Sequence, residues 1–253
     1  MRVAIISDLH SNREALEAVF AHIRAQGVST LYCLGDVVGY GPEPEFCVDL
    51  VRGHASLCLM GNHDEALFRD ASDFNPHARG AIEFTRARMK PKWFSSSEKK
   101  ARWRWLETLP LTHKDGRFLF VHGSPRDPVR EYVLSTDGFL NPDKLRSIFD
   151  SFGDVCLAGH THHPGLHDEE LRFHGLEGRE TLTLPLPPGK KRFVNVGSTG
   201  QPRDGDPRAC YAILEDEQVT WHRIAYDFRA TQQKILETGA LSEVLARRLA
   251  LGK

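Results

Sequence analysis

Val3-Ala4-Ile5-Ile6-Ser7-Asp8-Leu9-His10 opens the chain with a four-residue apolar run that breaks at once into an acid and an imidazole. A short, uninterrupted apolar run is the pattern of a strand buried on both faces, as in a sheet covered by helices. The design recurs at Leu31-Tyr32-Cys33-Leu34, Leu57-Cys58-Leu59-Met60, Phe118-Leu119-Phe120-Val121 and Val155-Cys156-Leu157-Ala158. Cys33, Cys58 and Cys156 lie inside these runs and read as small hydrophobes.

Working outward, the segments between the first runs have helical spacing. Ala15, Leu16, Val19, Phe20 and Ile23 follow Ser11-Asn12, and Phe46, Leu50 and Val51 follow Pro42-Glu43-Pro44, a proline-marked start. The order β-α-β-α-β predicts an α/β sheet. Residues 65–117 interrupt it with a mostly helical insert, whose last helix is expected to be capped by Ser95-x-x-Glu98 and to end before Pro110. Strands are expected over 192–196, 209–215 and 218–226. A helical tail over about 228–253 places Leu241, Val244, Leu245 and Leu249 on one face, a surface for a possible homodimer. With no repeat and no dividing linker, residues 1–253 read as one domain.

Thirty-three basic residues balance 34 acidic ones for a net charge of −1, which argues against bulk nucleic acid or an anionic membrane as the main partner. No apolar run approaches the ~18 residues of a membrane span. The first run is also too short for a signal peptide. Five cysteines without a C-x-x-C pair do not make a disulfide framework. A cytoplasmic location is expected.

The chemistry sits where the runs end. They lead into Asp8-Leu9-His10, Gly35-Asp36, Gly61-Asn62-His63-Asp64, His122-Gly123 and Gly159-His160-Thr161-His162. Ligands of open α/β sheets bind at the carboxyl ends of strands. Five ends would therefore deliver N and O donors of the kind that suit divalent transition metals to one crevice. Residues two apart on an extended chain face the same way, so Asp8 with His10, and His160 with His162, can each aim two ligands at one place. Any one of these fragments alone reads as a turn or cap; the ordered set of five reads as a metal site.

That ordered set resembles the calcineurin-like metallophosphoesterases, and Asn195-Val196-Gly197-Ser198 is similar to the Asn-Pro-Gly-Ser of many bacterial members. Gly239-Ala240-Leu241 and Leu245-Ala246-Arg247-Arg248-Leu249 are similar to a bacterial branch described as phosphodiesterase-like or diadenosine tetraphosphatase-like. The resemblance implies a four-layer α-β-β-α sandwich of two mixed sheets and a binuclear centre. One ion would take Asp8, His10, Asp36 and His162; the second would take Asp36, Asn62, His122 and His160, with Asp36 bridging. Manganese is the expected metal, with iron, zinc, nickel and cobalt as alternatives. The implied activity is hydrolysis of phosphoric esters, with a metal-bridging hydroxide as nucleophile, His63 as general acid and Asp64 orienting or charge-stabilising it. Phosphodiesters or nucleotides are the expected substrates, ahead of a small-molecule phosphomonoester.

The Asp-Arg pair of the family's protein phosphatases is missing, since Gly35-Asp36 continues into Val37-Val38-Gly39-Tyr40-Gly41. Asn12, Arg126 and Arg203 are candidates for holding phosphate in its place. A non-catalytic metal-binding scaffold of the same fold would be expected to lack His63 or some ligands, and none is missing. The insert carries eight basic residues against Glu98 alone over 86–104, a net +7, interleaved with Trp93, Phe94, Trp103 and Trp105. Trp105 is expected in the core and Trp103 exposed; the segment reads as a solvated face more than as a nuclease's binding surface, and no stable nucleic acid partner is expected.

Overall fold

The computed structural model describes residues Met1–Lys253. In chain order its elements are β1 (Arg2–Ile6), α1 (Arg13–Ala25), β2 (Leu31–Cys33), α2 (Pro44–His54), β3 (Leu57–Cys58), α3 (Asn62–Glu65), α4 (Pro76–Met89) and α5 (Ser97–Glu107). There follow β4 (Thr112–Asp115), β5 (Phe118–Val121), α6 (Asp137–Leu140), α7 (Pro142–Asp150), β6 (Val155–Ala158), β7 (Gly165–His167), β8 (Phe173–Gly175) and β9 (Thr181–Pro185). The chain closes with β10 (Arg192–Asn195), β11 (Ala209–Glu215), β12 (Gln218–Ile224), α8 (Phe228–Glu237) and α9 (Glu243–Leu251).

The strands form two mixed six-stranded sheets, ordered β3-β2-β1-β11-β12-β9 and β4-β5-β6-β10-β7-β8. Each contains three parallel strands, β1–β3 in one and β5, β6 and β10 in the other, extended by antiparallel neighbours. Alternation along a strand sends successive side chains to opposite faces. Val3 and Ile5 accordingly enter the layer between the sheets, with Phe120, Leu157, Val194 and Trp221. Ala4 and Ile6 face the other way, into the layer under α1 and α2. The second sheet does the same, with Cys156 and Phe193 turned outward against Leu145, Ile148 and Phe149 of α7. The expected four-layer sandwich is the observed one.

The insert is helical as expected, and α5 ends before Pro110. Its cap lies one residue later than the sequence indicated: Ser96 Oγ accepts from Lys99 N, while Ser95 Oγ is taken by Lys92 N. Trp103 is half-buried like Trp105 and packs its ring 4.7 Å from Phe68; the exposed aromatics of the insert are Trp93 and Phe94. The apolar face of the tail is covered from within. Leu241, Leu245 and Leu249 pack with Tyr40, Ala78, Ala81 and Ile235, while Val244 points outward. Three of the four residues of that face are therefore packed inside the chain. No helix is long and apolar enough to cross a membrane.

Candidate metal centre

Five parallel-strand ends from two sheets converge on one cleft. Asp8 and His10 follow β1, Asp36 follows β2, and Asn62 begins α3 after β3; His122 follows β5, and His160 and His162 follow β6. All seven side chains are buried. The loop after β10 ties the two sheets together. Asn195 Nδ2 donates to Gly159 O and Thr161 Oγ1, while Ser198 Oγ and Gly200 N both donate to Asp8 O.

The backbone here departs from ordinary conformations. Asp8, His10, Ser11, Asp36, Tyr40, His160 and His162 all have positive φ, between 45° and 65°, a region that side chains other than glycine enter rarely. Such strain persists only where surrounding structure holds it, and it clusters at functional sites. Close approach also requires Gly61, because a β-carbon there would lie 2.1 Å from Asp36 Oδ1.

The hydrogen bonds decide which imidazole nitrogens face inward. His10 Nδ1 lies 3.2 Å from Val38 O, His122 Nδ1 2.9 Å from Leu34 O, His160 Nε2 3.1 Å from Arg130 O, and His162 Nδ1 2.5 Å from Gln201 O. A carbonyl only accepts, so each of these nitrogens carries the ring's proton and the other is a bare lone pair. Those lone pairs then point at one another and at carboxylates. His10 Nε2 is 3.2 Å from His162 Nε2, and His122 Nε2 is 3.2 Å from both His160 Nδ1 and Asn62 Oδ1. Asp36 Oδ2 lies 3.7 Å from His10 Nε2 and 3.5 Å from His122 Nε2, between the two groups. Acceptors set against acceptors repel unless a cation lies among them, and histidines tethered to carbonyls through the outer nitrogen are characteristic of metal sites. Two clusters, Asp8-His10-His162 and Asp36-His122-His160, each bring their donor atoms within 4.8 Å, and His63 forms a third such group with His10 and Asp36. The donor set fits two divalent cations.

Electrostatics agree. Burial holds His10 and His160 well below the ordinary imidazole range, His122 below it, and His162 at about 4, so all four rings are neutral at pH 7 and able to act as ligands. Burial, then the neighbouring Asp8 and Asp64, push Asp36 well above the usual carboxylate range. Burial acts the same way on Asp8, but His162 and His122 outweigh it and keep that carboxyl low.

The remaining expectations divide. His63 lies beside the clusters, its ring 4.8 Å from that of His10 and 4.5 Å from that of Tyr40. Asp64 does not touch it: the carboxylate accepts from the amides of Gly61, Val37 and Val38, and His63 Nδ1 has no partner. The expected orienting contact is therefore replaced by a bracing one, in which Asp64 binds two ligand-bearing loops together. Asn12 is not free for phosphate. Its amide donates to Gly200 O and Tyr226 Oη and accepts from Ala15 N and Thr231 Oγ1. Arg126 is likewise occupied, by Glu131 and Ser147. Arg203 is the one that reaches the cleft: it bonds neutral acceptors, Gln201 Oε1 and Tyr40 Oη, and its charge helps depress His63, His10 and His162. Tyr132 and Phe74 were not legible as site residues. Tyr132 covers His160 with ring centroids 3.9 Å apart. Tyr40, set between Gly39 and Gly41 just after Gly-Asp, carried a signal in its glycines.

Residues 1–218 match the calcineurin-like phosphoesterase superfamily domain. The chain belongs to that superfamily. A crystal structure of a metallophosphoesterase from Sphaerobacter thermophilus is 39% identical and superposes with a TM-score of 0.83 over the whole of both chains. An uncharacterised protein of Methanocaldococcus jannaschii is 35% identical over 260 residues, covering 99% of this chain and 98% of its own. A symmetrical bis(5'-nucleosyl)-tetraphosphatase of Aromatoleum aromaticum is 27% identical over 124 residues, 46% of this chain and 43% of its own. Membership in the superfamily accords with the donor set: its phosphoesterase domain supplies the strands, and the His and Asp residues at their ends form the clusters.

Proposed function

We propose that the protein is a binuclear metal-dependent hydrolase of phosphoric esters, acting on phosphodiesters or nucleotides in the cytoplasm as a single domain over residues 1–253. The observation that carries this reading is the facing of inward lone pairs around Asp36. Asp8, His10, Asp36 and His162 would hold one ion, and Asp36, Asn62, His122 and His160 the other, with manganese the preferred metal. When bound, the ions supply positive charge for the phosphoryl oxygens and acidify water at the site.

The chain's own residues do the rest. Backbone carbonyls keep the ligand imidazoles in one tautomer, so no proton competes for the inward lone pairs. The amide of His63 donates to Asp36 Oδ1 at 2.8 Å and orients the shared carboxylate. Arg203, with no carboxylate to neutralise it, offers its guanidinium to a phosphate oxygen. Burial and then Arg203 hold His63 well below the ordinary imidazole value, and its Nδ1 is buried against Gly39, which leaves Nε2 to carry the proton. An anionic diester arriving beside it favours the charged form, loading the proton that Nε2 then gives to the leaving oxygen.

The test is turnover of bis-p-nitrophenyl phosphate beside p-nitrophenyl phosphate by chelator-stripped protein reconstituted with Mn²⁺. A diester preference is the expected result, and a monoester preference would make the protein a phosphomonoesterase. Full metal occupancy without turnover of either would overturn the hydrolase reading in favour of a metal-binding scaffold.

A further inference from the structure

Beside the metal clusters the cleft opens into a pocket of about 230 Å³, whose inner wall is Asn62, His63 and His160. Its outer wall combines three rings with polar groups, among them Asn75. Tyr40 and Phe74 stand 4.5 and 5.2 Å from the His63 ring, and Tyr132 lies over His160. The charged groups at its edge cancel: Arg69 pairs with Glu65 and Asp73, and Arg130 pairs with the same Glu65. Two guanidiniums thus meet two carboxylates, leaving no net charge. The two sides of the cleft differ accordingly. Arg203, hydrogen-bonded to Tyr40 Oη, stands where the pocket meets the metal positions and offers a phosphate the one guanidinium there without a carboxylate partner, whereas the pocket beyond it offers aromatic surface and already-paired ions.

We infer that this pocket receives the leaving group, that the leaving group is an uncharged nucleoside, and that Phe74 and Tyr132 select it by contact with its base. The inference rests on the phosphoesterase reading and narrows it. Water forms the new bond to phosphorus, the ester bond to the nucleoside oxygen breaks, and that oxygen departs with the proton from His63 Nε2, which the proton lost by the water replaces. His63 and the rings line the same space, so the group that takes the proton is the group whose base the rings meet. A dinucleoside polyphosphate fits poorly, because its departing half carries several negative charges into a pocket whose arginines are already paired. The volume lies below the roughly 300–1,000 Å³ of pockets that enclose drug-sized ligands, which suits one base and its sugar more than a longer strand.

The experiment uses the full chain loaded with Mn²⁺ and two dinucleoside monophosphates. They differ only in whether the nucleoside leaving through its 5'-oxygen carries adenine or is abasic, so the leaving hydroxyls have matched reactivity. The expected result is kcat/KM higher by about tenfold or more for the adenine compound, the size of one base–aromatic stack. Phe74→Ala is expected to erase most of that ratio and Phe74→Tyr to restore it. Diadenosine tetraphosphate is expected to be cleaved more slowly than the adenine dimer. Adenosine alone is expected to bind the wild type, and ribose not to, by saturation-transfer NMR, a readout independent of turnover. Equal kcat/KM for the two dimers, preference for the tetraphosphate, or no adenosine binding would each overturn the inference. Should bis-p-nitrophenyl phosphate still be hydrolysed in that case, only the nucleoside pocket falls and the phosphoesterase reading stands.

Discussion

The α-carbon of Gly39 lies against the imidazole of His63 so closely that a β-carbon on it would sit 2.4 Å from Nδ1. Gly39 also has φ +102°, a conformation other residues rarely adopt. The contact leaves Nδ1 enclosed and makes Gly39 a positioning residue for His63. Gly39→Ala is therefore expected to displace the ring and lower kcat by at least about a hundredfold, the scale of a lost proton donor. Bound metal is expected to stay at two equivalents by elemental analysis. Turnover within twofold of wild type would show that the placement of His63 is immaterial.

Asp36 and His63 are predicted to separate binding from chemistry. Asp36→Asn removes the charge shared by both clusters, and metal content and activity are expected to fall together. His63→Ala is expected to keep both ions while losing most turnover. Full activity in a metal-loaded His63→Ala protein would exclude His63 as the acid.

Asp64 makes a different prediction, because its carboxylate spans backbone amides rather than the imidazole. Burial raises its pKa to about 6 against the pull of those amides. Asp64→Ala leaves the Gly61, Val37 and Val38 amides without their acceptor, at about 1–3 kcal/mol for each one left unsatisfied. Lower Tm and weaker metal affinity are expected, both measurable by calorimetry. An unchanged Tm with selectively reduced kcat would instead favour a catalytic partnership with His63.

Arg203 and Arg126 are expected to diverge. Arg203→Ala removes a charge-assisted phosphate contact and is expected to weaken inhibition by inorganic phosphate about tenfold or more. Arg126→Ala breaks only its bonds to Glu131 and Ser147, and phosphate inhibition is expected to stay within about twofold, as for a surface pair. Equal losses would show that the loop carrying Arg126 swings into the cleft.

The metal-free protein is expected to be acid-labile. His10, His63, His122, His160 and His162 all titrate below the ordinary 6.5 in the folded state. As pH falls through 6.5 the unfolded chain takes up protons at these positions and the folded chain does not, so stability falls. Asp36 and Asp64 have raised values and act with opposite sign, but two carboxylates oppose five imidazoles. The Tm of chelator-treated protein is expected to decline from pH 6.5 toward 4 and to be steadier above 6.5. A Tm that rises as the pH falls through this window would contradict the neutral, buried state of these rings.

The sequence by itself marked the parallel strands and the candidate donors, because both are local. Each donor group closely follows a four-residue apolar run, and each run overlaps a parallel strand. Two of the edge strands, β4 and β9, were not legible. Thr112–Asp115 and Thr181–Pro185 are polar or half-exposed and owe their conformation to pairing with β5 and β12. Tertiary structure alone decided which lone pairs face inward, since Val38, Leu34, Arg130 and Gln201 supply the fixing carbonyls from other loops. It also decided that Asn12 is consumed by Gly200, Tyr226 and Thr231, residues about two hundred positions away. Periodicity records which face of an element is buried. It does not record what a polar group meets there, and in this protein that meeting separates a structural residue from a ligand.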